Sequence, residues 1–187
     1  MLRWLVLLLV MLAGCGDASE AARNTAADEA QAALATDPAR ALRVAKAALA
    51  EHGPDPRLSL VAGLAHMHLE QRSEAIAQAG AGLAVDDLPP DLHADLSWVR
   101  GAGLMARYRE IASLDDWRAA NTALEDATVA GNHRAEAAAA LVFLQDLGPM
   151  GTPERQLRFG RLLLELSPDS PAAGRVRSVL EAKGLTP

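Results

Sequence analysis

Apolar side chains recur at intervals of three and four residues from about residue 19 to the end of the chain, the spacing that places them on one face of an α-helix. No segment shows the period of two that marks a half-buried strand. Punctuation divides this pattern at regular intervals. Asp37-Pro38, Asp55-Pro56, Thr152-Pro153 and Ser170-Pro171 each set a side-chain acceptor directly before a proline. The acceptor can cap the free amides of a first helical turn, and proline at the first helical position gives up no hydrogen bond. Gly53, Gly131, Gly148 and Gly184 provide stops. The spacing predicts nine helices, over residues 19–35, 38–51, 56–70, 73–86, 91–112, 115–130, 132–147, 153–166 and 171–183, and therefore an all-α fold.

Short helices joined by short turns raise the question of a repeat, and one is present. The segment Ala41-Leu42-Arg43-Val44-Ala45-Lys46-Ala47-Ala48-Leu49-Ala50 aligns with Ala75-Ile76-Ala77-Gln78-Ala79-Gly80-Ala81-Gly82-Leu83-Ala84 at an offset of 34 residues, with five of ten positions identical. This period and pattern resemble the tetratricopeptide repeat. Its second helix carries a small residue at repeat positions 20 and 27 and leucine at 28, places filled by Ala75, Gly82 and Leu83. In that register Gly63 falls at position 8, the small residue that lets the first helix approach the second. Ser59 and His66 occupy positions 4 and 11, where the repeat prefers large apolar side chains. Later segments follow more loosely: Trp117, Ala120 and Ala127 suit positions 17, 20 and 27, and Leu164, Leu166 and Pro168 suit 28, 30 and 32. Ala75 and Ala120 lie 45 residues apart rather than 34, so the third pair carries an insertion, placed in the long helix 91–112. The resemblance implies a right-handed solenoid of antiparallel helix pairs, closed by the polar-faced helix 171–183 as a cap.

The first residues read differently. One positive charge, Arg3, precedes the apolar run Trp4-Leu5-Val6-Leu7-Leu8-Leu9-Val10-Met11, which leads to small residues. This is the layout of a secretory signal, and it is shorter than the roughly 20 apolar residues that span a bilayer. The run ends in Leu12-Ala13-Gly14-Cys15, which resembles the lipobox of bacterial lipoproteins and implies cleavage before Cys15 and lipidation of its thiol. Cys15 is the only cysteine, so it can form no internal disulfide. Several acyl chains at about 0.8 kcal/mol per buried CH₂ would anchor the domain without a membrane-spanning helix. The organisation expected is a signal peptide over 1–14, a lipidated tether over 15–28 and a helical repeat domain over 29–187. Gly16, with Asp17 one place later, departs from the inner-membrane retention pattern and favours the outer membrane, facing the periplasm.

Composition removes several function classes. The net charge of -6, with scattered basic residues, offers no footprint for a phosphate backbone, so nucleic acid is not expected. His66 and His68 point to different sides of a helix and cannot share an ion, and His52, His93 and His133 have no ligand at useful spacing, so neither metal nor cofactor is expected. No serine-nucleophile or phosphate-loop motif is present, and the chain reads as non-enzymatic. Asp86-Asp87 and Asp115-Asp116 read as solvated turn and capping residues.

Binding is the remaining class. In the tetratricopeptide resemblance the inner groove is formed at positions 2, 5, 9, 12 and 13 of a first helix, here Arg57, Leu60, Leu64, Met67 and His68. Leu60, Leu64 and Met67 make an i, i+4, i+7 stripe suited to an apolar groove for a peptide or helix; with Gly63 the same stripe serves equally as a core face, the preferred reading. Trp98, Met105 and Tyr108 pose the same choice between interface and core, whereas Trp117 is assigned to the core. Arg100, Arg107 and Arg109 read as a solvated face that could also guide an acidic partner. The function expected is a lipid-anchored scaffold or adaptor that holds another envelope protein or peptide; the alternative is a structural lipoprotein that self-associates by stacking its ends.

Overall fold

The computed structural model describes residues 19–186, so the signal segment and Cys15 lie outside the described residues. Within them the chain forms nine helices and no strand: α1 (19–34), α2 (Pro38–His52), α3 (Pro56–His68), α4 (Arg72–Leu83), α5 (Pro90–Ile111), α6 (Leu114–Ala127), α7 (Arg134–Leu147), α8 (Pro153–Leu166) and α9 (Pro171–Ala182). The four Asp/Thr/Ser-Pro starts behave as their chemistry dictates. Asp37 Oδ1 accepts from the Arg40 amide at 2.9 Å, Asp55 Oδ1 from Leu58 at 2.9 Å, Thr152 Oγ1 from Arg155 at 3.3 Å and Ser170 Oγ from Ala173 at 3.1 Å. A fifth cap, Ser113 on α6, has no proline to advertise it. The expected ends of α3, α4 and α6 ran two or three residues too far. After α3, Glu70 turns to φ 59° and the Gln71 amide returns to the His66 carbonyl at 2.9 Å, closing the helix without glycine.

The helices form two rows. In one row α3 touches α5, α5 touches α7 and α7 touches α9; in the other, α2, α4, α6 and α8 touch only their neighbours in sequence. A row whose members meet is the inside of a curved stack, and the row whose members are splayed apart is the outside. The outer helices share one signature. Each buries a triplet at i, i+4 and i+7: Ala41, Ala45 and Ala48 in α2; Ala75, Ala79 and Gly82 in α4; Ala120, Leu124 and Ala127 in α6; Gln156, Gly160 and Leu163 in α8. The 34-residue offset seen in the sequence therefore superposes buried position on buried position. The longer step from α4 to α6 is absorbed in α5, whose 22 residues compare with 13 in α3 and 14 in α7.

Small residues set the helix spacing. A methyl group at Gly63 would lie 3.0 Å from Val99 Cγ1 on α5, and one at Gly82 would lie 2.8 Å from Leu96 Cδ2 and 2.9 Å from Ser59 Cβ. Ser59 and His66, polar where the repeat prefers large apolar residues, are buried nonetheless. Ser59 Oγ accepts from Gln78 Nε2 at 3.2 Å, and His66 Nδ1 pairs with Gln71 Oε1 at 2.7 Å. Each polar atom finds its partner on or just before α4, so the register of the repeat stands and these two departures are satisfied inside it.

Candidate functional site

The later turns of α1 supply one side of a cleft, through Ala27 and Gln31. Part of the segment expected as tether, residues 19–28, is helical here, and Ala27 and Ala30 are buried against α2 and α3. Arg57, at the start of α3, reaches across to α1: Nη2 donates to Asp28 Oδ1 at 2.8 Å and Nη1 to Asn24 Oδ1 at 3.3 Å. Between α1, α3 and the start of α5 lies a cleft of about 330 Å³. Ala27, Leu60, Val61, Leu92 and Pro89 form its apolar lining, and Gln31, Arg57, Asp91, Asp95 and Asn132 its polar one.

One wall of the cleft is the turn between α6 and α7, held by two carboxylates spaced four residues apart on α5. Asp91 Oδ1 accepts from the Gly131 amide at 3.1 Å. Asp95 is buried and accepts three times, from the Asn132 amide at 2.8 Å, from Asn132 Nδ2 at 2.8 Å and from His133 Nδ1 at 3.0 Å. The His133 ring stacks on Trp98 with centroids 5.6 Å apart and planes 9° from parallel. Gly131 is required at this point: its φ is 78°, and a methyl there would lie 2.6 Å from Asp95 Oδ1.

The residues singled out for partner binding separate under this geometry. Arg57 and Leu60 line the cleft. Leu64 and Met67, like Leu60, are partly buried against Ala75, Ala79, Leu96 and Val99, but unlike Leu60 they do not line the cleft. His68 is exposed at the end of α3 and is not among the residues lining the cleft. Trp98 packs between the largest and the smallest of the three core clusters and onto His133, a structural role beside the cleft rather than in it. Contributions from α1 and α5 were missed because a groove read from one helix cannot include its neighbours. The i, i+4 pair Asp91 and Asp95, facing Gly131-Asn132-His133, is the signal that could have found the wall.

Two expectations for charged residues are corrected. Asp116, read as a solvated capping residue, is buried at 7% exposure and takes both Arg107 Nε at 2.7 Å and Arg107 Nη2 at 2.6 Å. The hydrogen bonds from Arg107 hold the Asp116 carboxyl below its ordinary value, against the opposing effect of burial, and the same pair raises Arg107. Arg107 is thus committed to the α5–α6 junction and is not a guide for a partner. Among the described residues, no group of three or more His, Cys, Asp or Glu side chains is placed to hold a metal ion, and no helix is long and apolar enough to cross a membrane.

Two rows of antiparallel helices, a repeated small-residue seam and a cleft on the inner row define a tetratricopeptide-like helical-repeat solenoid. The crystal structure of the MamA protein is similar to this chain, with a TM-score of 0.63 over 88% of this chain and 84% of that one, at 20% sequence identity. In sequence, no family model and no curated protein matches the chain.

Proposed function

We propose that this protein is a non-enzymatic scaffold, lipid-anchored through Cys15 in the bacterial cell envelope at the outer membrane and facing the periplasm, which receives a segment of another envelope protein on its inner row of helices. The cleft between α1, α3 and α5 carries the reading. At about 330 Å³ it has the size of a ligand pocket, with an apolar floor and a few convergent polar groups. Its wall at the α6–α7 turn is fixed in advance by the hydrogen bonds of buried Asp95, which lowers the ordering cost of binding. The lipobox-like Leu12-Ala13-Gly14-Cys15 supports the anchor. The self-association alternative calls for large apolar side chains exposed on the terminal helices. Among the described residues the exposed ones are Ile111, Leu114, Val129, Leu147 and Met150, on or just after α5, α6 and α7 and none on the first or last helix, which disfavours stacking by the ends.

The test is site-specific photo-crosslinking in native membranes. A photoreactive residue at exposed Gln31, in the cleft, is expected to give one defined adduct, whereas one at exposed Lys46, on the outer helix α2, gives none. Cys15→Ser is expected to move the protein from the membrane to the soluble fraction. Equal labelling from both positions would refute the cleft, and unchanged fractionation would refute the anchor.

A further inference from the structure

A second depression lies further along the inner row, where the last turns of α5 and α7 meet. Met105, Arg109, Phe143, Asp146 and Leu147 line a pocket of about 230 Å³. Leu147 and, just beyond it, Met150 are each 51% exposed, two of only five large apolar side chains so exposed among the described residues. The wall that presents them is fixed. Trp117 Nε1 donates to the Leu144 carbonyl at 3.0 Å, and the Tyr108 hydroxyl donates to the Leu147 carbonyl at 3.3 Å. Leu147 is thus pinned through its backbone while its side chain remains outside, an arrangement that packing within this chain does not explain.

The charges around this pocket are unevenly matched. Asp146 is paired with Lys183, and Glu110 with Arg72, whereas Arg109 has no ion-pair partner among the described residues. Of the two charged residues that line the pocket, the anion is thus already paired and the cation is left to meet an incoming carboxylate. We infer that the α5–α7 pocket is a second docking point, which takes a peptide segment bearing one large apolar side chain next to a carboxylate, the side chain entering between Met105, Phe143 and Leu147 and the carboxylate meeting Arg109. The volume lies below the roughly 300–1,000 Å³ of pockets that enclose whole small ligands, so it suits a single side chain rather than a lipid chain. A guanidinium beside it offers a fork of donors for a carboxylate. The inference rests on the interaction reading of the fold and does not depend on the α1–α3–α5 cleft.

The probe is a library of random twelve-residue peptides selected against the full chain in detergent. Selection is expected to enrich Leu, Met or Phe within two residues of Asp or Glu. A synthetic peptide of the selected sequence is expected to bind at least ten-fold more weakly to Arg109→Glu and to Leu147→Ser, both exposed positions, while exchanging its acid for lysine restores binding to Arg109→Glu. Circular dichroism of each variant checks that it is folded; if Arg109→Glu is not, Arg109→Ala replaces it and is expected to bind the acidic peptide and its lysine exchange equally, a kept preference for the acid overturning the inference. Enrichment without an acidic residue, or failure of the charge exchange, overturns the inference. Loss of binding in Gln31→Trp but not in Arg109→Glu would place the peptide in the first cleft, overturning this inference and supporting that one. A concentration-dependent dimer in sedimentation that Arg109→Glu dissolves makes a second copy the occupant and overturns it as well.

Discussion

Two glycines on α4 show how much a single residue decides. Gly82 faces α3 and α5, where a methyl would fall 2.8 Å from Leu96 Cδ2 and 2.9 Å from Ser59 Cβ; Gly80, two residues earlier, meets nothing within 4 Å. Gly82→Ala is expected to destabilise the protein by about 1–3 kcal/mol through overpacking, and Gly80→Ala to stabilise it by about 0.5–1 kcal/mol by reducing the freedom of the unfolded chain. Urea denaturation of the two variants checks the opposite signs; equal effects would mean that α4 is not seated against both neighbours. Gly82 was readable as a small-residue position because the 34-residue offset pairs it with Ala48. Asp116 and Arg107 were not readable as a pair. They lie on different helices, and nothing in their spacing shows that the α5–α6 turn brings them together. Leu64 and Met67 mark the intermediate case, since a stripe at helical spacing names a face but not what covers it.

At the scale of elements, helix starts were more legible than helix ends. Four starts, those of α2, α3, α8 and α9, are encoded by a capping side chain and a proline, whereas α3 and α5 are capped at their ends by Leu69 and Ala112 with no glycine to mark the stop. Ala112 closes the longest helix at φ 52° and ψ 33°, a left-handed conformation that costs a residue with a Cβ about 1–2 kcal/mol. Ala112→Gly is therefore expected to raise stability by about 1 kcal/mol, seen as an increase in Tm. The corner that follows is held by Arg107 and Asp116. With Arg107 about a third exposed, solvent weakens the pair, and Asp116→Asn is expected to cost about 1–2 kcal/mol near neutral pH. The Asp116 carboxyl is held below the ordinary 3.8, so its contribution is complete above that value and is lost as the pH falls through the lower folded value. Denaturation of wild type and Asp116→Asn should therefore differ most near pH 7 and converge on acidification below about pH 4; a gap that persists in acid would mean that the carboxylate is not what holds the corner.

Across the whole molecule, stability in a stack of repeats is the sum of local units and the interfaces between neighbours, so the least secured interface sets cooperativity. Here the apolar core divides into three clusters, one over α1–α3, one over α3–α5 and one over α5–α9, and α5 is the helix through which the last two communicate. Asp95 ties that helix to the α6–α7 turn by three hydrogen bonds, and Trp98, one turn on, stacks on His133 from the same turn. Asp95→Ala leaves the Asn132 amide without its acceptor and frees the turn, at a cost of about 2–4 kcal/mol for a buried charged acceptor with several donors. Because the lost contacts join α5 to the start of α7, the damage should fall on the coupling between the two ends of the solenoid rather than on either end alone. Hydrogen exchange is expected to show amides of α2–α4 and of α7–α8 opening with one free energy in the wild type and with two in Asp95→Ala. The same loss at both ends, with a single transition retained, would mean that coupling runs through the apolar contacts of α5 and that the carboxylate serves only to shape the cleft wall.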